Sequence, residues 1–88
     1  MIQIQTIEDV YPALDELIIE LKAAGELRLS ELIHHRTHVV AWTARSELFE
    51  ELQNVLGKAL TSSEVKLPRL VKEQIEQVLL VISDFLRA

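Results

Sequence analysis

Between Glu26 and Leu60 the apolar residues recur at helical spacing. Ile33, Val40, Ala44, Leu48, Leu52, Val55, Leu56 and Ala59 fall close to one line on a 3.6-residue wheel, as on a helix with one buried face. Comparable stripes flank this stretch. Val10, Leu14, Leu17, Ile18 and Leu21 form one upstream, with Asp15, Glu16, Glu20 and Lys22 on the opposite face. Downstream, Leu70, Val71, Ile75, Val78, Leu79, Ile82, Phe85 and Leu86 make a wide face, which Leu80 and Val81 extend further round. The pattern predicts an all-α fold: a small antiparallel bundle of three to four helices.

Punctuation sets the expected boundaries. Thr6 or Asp9 can cap the first helix, Pro12 is expected within its first turn, and Gly25 suits the left-handed residue that closes many helices. A second helix starts near Glu26. If it ran unbroken to Leu60 it would be about 52 Å long at 1.5 Å per residue, too long for a small bundle. Thr37, Val39, Val40 and Thr43 are β-branched and Thr43 or Ser46 can cap a new helix, so a break is expected between Thr37 and Ser46. A third helix is expected over about 44–60, then a polar linker over 61–66, with Pro68 opening the last helix. Residues 1–5 alternate Ile and Gln, and the first six or so are expected to form an extended arm, with a short strand as the alternative.

Composition narrows the picture. The chain has 88 residues, 49% of them apolar and only 5% aromatic, so a single domain with an aliphatic core is expected over 1–88. A chain this small buries only roughly 60–65% of its unfolded surface. Surplus apolar surface on the last helix is therefore expected to drive self-association, with Val78, Leu80, Val81 and Phe85 as the candidate homodimer interface.

The net charge is −5, which argues against general binding to nucleic acid or anionic membranes. Residues 28–45 form a basic island, with three Arg against one Glu, and hold all three histidines. There is no cysteine, so thiolate chemistry is excluded, and a cytoplasmic setting is expected. The first residues carry neither a basic nor a long apolar segment, so no secretion signal is expected. The longest apolar run, Val78 to Ile82, falls far short of the ~20 residues that span a bilayer.

Candidate chemistry is sparse. Within the basic island, Arg36, His38, Trp42 and Arg45 combine contact area with directed polar groups and are the candidate partner-binding residues. His34 and His38 stand one turn apart, with Glu31 three residues before His34, so a metal-binding bundle is the alternative reading. The Glu-x-x-His pair is single, whereas di-iron bundles need two plus further glutamates. A helix-turn-helix DNA reader built around Arg36 to Arg45 is a third, minor reading. There is no phosphate-binding glycine loop, no HExxH and no nucleophile elbow. The resulting expectation is a non-enzymatic protein-interaction module without a cofactor, homodimeric and acting on a larger protein to regulate or neutralise it.

Overall fold

The computed structural model describes residues 4–87, which form four α-helices and one π-helical turn. α1 spans Ile7–Ala23, α2 Leu27–His34, α3 Arg45–Thr61 and α4 Arg69–Arg87, with the π turn at His35–Val39. No strand forms among the described residues, and no helix among them is long and apolar enough to cross a membrane. The strand alternative therefore fails at Ile4 and Gln5. The rest of the expected arm, Met1–Gln3, lies outside the described residues, while Ile4 itself is buried in the core.

α1 starts at Ile7 because the backbone N–H groups of Gln5 and Thr6 both donate to Asp9 Oδ2 at 3.0 Å, fixing the chain at the helix entrance. These two hydrogen bonds hold the Asp9 carboxyl below its usual pKa range. Pro12 consequently falls in the second turn, not the first. Its missing N–H removes the helical partner of the Glu8 carbonyl, a loss tolerated because both residues are exposed to water. The other end closes as expected. Gly25 has φ 87°, while Glu26 N–H donates to Leu21 O and Gly25 N–H to Lys22 O, the paired bonds of a Schellman motif.

α1 packs against both α2 and α4, α4 packs against α3, and α2 barely touches α3. The core is aliphatic around a single fully buried aromatic, Phe49, with Leu14, Leu17, Leu52, Leu56, Ile75 and Ile82 also sealed from solvent. Two buried polar groups escape the hydropathy pattern. Ser30 Oγ donates to Ile18 O at 2.7 Å and pins α2 to α1, while Gln74 Nε2 donates to Ala13 O at 3.4 Å between α4 and α1.

The longest dimension is 32 Å, so an unbroken second helix of about 52 Å would have overshot the globule. The break falls where expected. Residues 40–44 are non-helical and α3 follows from Arg45.

Candidate functional site

The corner joining α2 to α3 holds all four candidate partner-binding residues, and each has a partner within the chain. Thr37 Oγ1 donates back to Ile33 O at 2.7 Å, which competes with regular helix geometry. The turn then widens, and Val40 N–H closes onto His35 O at 3.1 Å. That widening frees the Arg36 carbonyl, which accepts the Trp42 indole N–H at 2.6 Å while the Trp42 ring packs half-buried against the core. Trp42 thereby locks the break between the helices.

His38 Nε2 lies 2.5 Å from Asp15 Oδ1 and ties the π turn to α1. Arg36 Nε stands 3.6 Å from Glu51 Oε1 and ties it to α3. The two links differ in reach, but both are partly exposed pairs of modest weight. The His34 and His38 rings do approach, with centroids 5.2 Å apart. No group of three or more His, Asp or Glu side chains gathers as a metal site among the described residues, so Glu31, His34 and His38 do not make one.

Arg45 opens α3 and faces inward along the surface. Its guanidinium donates to Glu8 Oε1 at 2.9 Å and lies over the rings of Phe85, at 5.5 Å, and Tyr11, at 6.0 Å. The hydrogen bond to Glu8 raises the Arg45 pKa above its ordinary value. Beneath it Phe49 contacts Tyr11 at 5.8 Å and Phe85, edge-on, at 5.3 Å. Arg45 therefore clamps the starts of α1 and α3 to the end of α4.

The candidate dimer residues divide. Val78 is fully buried among core residues and offers nothing to a second chain, and Phe85 is committed to Phe49 and Arg45. Val81 is half-buried against the core, whereas Leu80 is 66% exposed. The cause is the helical period: Val71, Ile75, Val78 and Ile82 use up the inward line, leaving Leu80 on the outer one.

A different feature is left open. Where α2 and α3 fail to meet, a cleft of about 370 Å³ remains. Leu29 and Leu32 from α2, Val55 and Ala59 from α3 and Val65 from the linker supply its apolar lining. Asn54 and Lys58 border it on α3, and the Arg36–Glu51 pair stands at the end nearest the corner. These apolar residues read in sequence as ordinary core positions. The overlooked signal is length: α2 has 8 residues and α3 has 17, so α2 cannot cover α3 along its whole face. No family model, curated protein or solved structure matches this chain.

Proposed function

We propose that this chain is a non-enzymatic interaction module of the cytoplasm that binds a larger protein and regulates or neutralises it. The contact surface in this reading is the cleft between α2 and α3, and its occupant is an amphipathic helix of the partner. One observation carries it: a cleft between the two helices leaves Leu29 and Leu32 half-buried above the buried Val55 and Ala59, with polar residues at its margin. A helix laid in such a groove buries its own apolar face and keeps its polar face in water. Lys58 on the margin suits a carboxylate on the incoming helix, because at physiological salt the chain's more distant acidic groups are screened beyond about 8 Å. Asp9 and Arg45, whose ionisation the fold does shift, lie outside the cleft and act as a helix cap and a clamp.

Photo-crosslinking in living cells tests this reading. A photoreactive residue at position 54, on the cleft margin, is compared with one at position 19, an exposed site on α1. One discrete protein adduct from position 54, absent from position 19, is the expected result. Equal adducts from both positions, or none from position 54, would remove the cleft as the contact surface.

A further inference from the structure

The α2–α3 cleft is bridged at both ends. At the corner end Arg36 Nε stands 3.6 Å from Glu51 Oε1. At the far end the linker between α3 and α4 crosses to the start of α2, where the Lys66 backbone N–H donates to Glu26 Oε1 at 3.2 Å. The two bridges are not equally secure. The corner is braced by the Trp42 indole, which donates to the Arg36 carbonyl at 2.6 Å. The linker, residues 62–68, is non-helical, and among the described residues its stretch 63–67 makes no backbone–backbone hydrogen bond. It is anchored at Ser62, whose N–H donates to Lys58 O at 2.9 Å, and at Leu67, which packs against the core. Between these anchors Val65 alone is half-buried, in the cleft wall, while Ser63, Glu64 and Lys66 are exposed.

We propose that this linker is a strap across the foot of the cleft, which lifts when the partner's helix enters. From Glu51 to Ala59 the α3 side of the cleft runs eight residues, about 12 Å or just over two helical turns. A longer helix laid along it meets Val65 and must move it. Little resists that movement. The Glu26–Lys66 bond is exposed, so both groups pass to water when it breaks. A segment with one inward apolar side chain and no backbone ladder opens at low free energy. The bridge at the corner stays closed, so the cleft lengthens at one end only. The proposal rests on the cleft reading for what lifts the strap, whereas the opening itself belongs to this chain alone.

Thiol labelling of the full chain tests the opening without a partner. The chain has no native cysteine, so an introduced one reports alone. Ala59→Cys reports the foot of the cleft, and Ala13→Cys, fully buried in the core, reports loosening of the whole fold. Glu26→Ala removes the acceptor that holds the strap. Labelling at Ala59→Cys should then rise about fivefold, the factor given by one hydrogen bond of ordinary net strength, with Ala13→Cys unchanged. Glu26→Gln keeps an acceptor oxygen and should return the rate toward that of the wild type. No rise at Ala59→Cys, an equal rise at both positions, or a Glu26→Gln rate matching Glu26→Ala overturns the strap. Photo-crosslinking from position 54 in cells then tests the gating. Glu26→Ala should increase the adduct severalfold. The same adduct yield in wild type and Glu26→Ala overturns the gating and leaves the cleft reading standing. No adduct in either background removes the cleft reading and the gating with it, while the labelling result decides the strap's opening.

Discussion

Single side chains at the corner do structural work that their composition alone would assign to binding. Trp42 is the clearest case, since its indole N–H fills the acceptor that the π turn frees at Arg36. Trp42→Phe keeps most of the packing but drops that bond. It should lose about 1 kcal/mol in urea unfolding, the net value of one such hydrogen bond. Gly25 sits at φ 87°, yet open space surrounds the point where a Cβ would stand, so Gly25→Ala meets no clash. Its cost is conformational alone, roughly 1–2 kcal/mol, and Gly25→Asn should lose less. Asp9 makes the acid limb of stability testable. Its folded pKa is lowered, so its contribution is complete above the unfolded-chain value and disappears as pH falls through the lower folded value. Thermal melts of wild type and Asp9→Asn should therefore differ near neutral pH and converge as pH falls through the lowered folded value.

At the scale of elements, the helical period and its punctuation make α1, α3 and α4 readable to within a few residues. Gly25, the break before Ser46 and Pro68 mark real ends because each disrupts helical geometry for a local reason. Other features depend on what one helix meets on another. The burial of Gln74 against α1 follows from a carbonyl on the facing helix, which no hydropathy pattern records. Val78 and Leu80 are both apolar; the helical period sets them on different lines, and the packing of α4 against α1 and α3 makes the Val78 line the inward one. The four candidate corner residues do share one region of space, but their partners Asp15, Glu51 and Glu8 come from distant positions. α2 rests on α1 with almost no support from α3, so its amides and those of the π turn should exchange with solvent through openings of lower free energy than those of α1 or α4. Native-state hydrogen exchange would show this; equal protection across all four helices would contradict it.

For the molecule as a whole, one aromatic centre holds three helices together. Phe49 is fully buried between Tyr11 of α1 and Phe85 of α4. Phe49→Ala should cost roughly 3–5 kcal/mol, a large share of the ~4–13 kcal/mol expected for a domain of this size, and leave little folded protein at 37 °C. Between a short α2 and a long α3 a cleft remains, along which Leu29 and Leu32 stay half-buried. The central proposal is that this cleft, rather than the polar corner beside it, is where another protein binds. Matched affinity captures from native cells with wild type, Asn54→Arg and Arg45→Ala as baits test it most directly. The account predicts a specific protein held by wild type and Arg45→Ala but lost with Asn54→Arg. Retention by Asn54→Arg with loss from a folded Arg45→Ala would place the contact at the corner and contradict it.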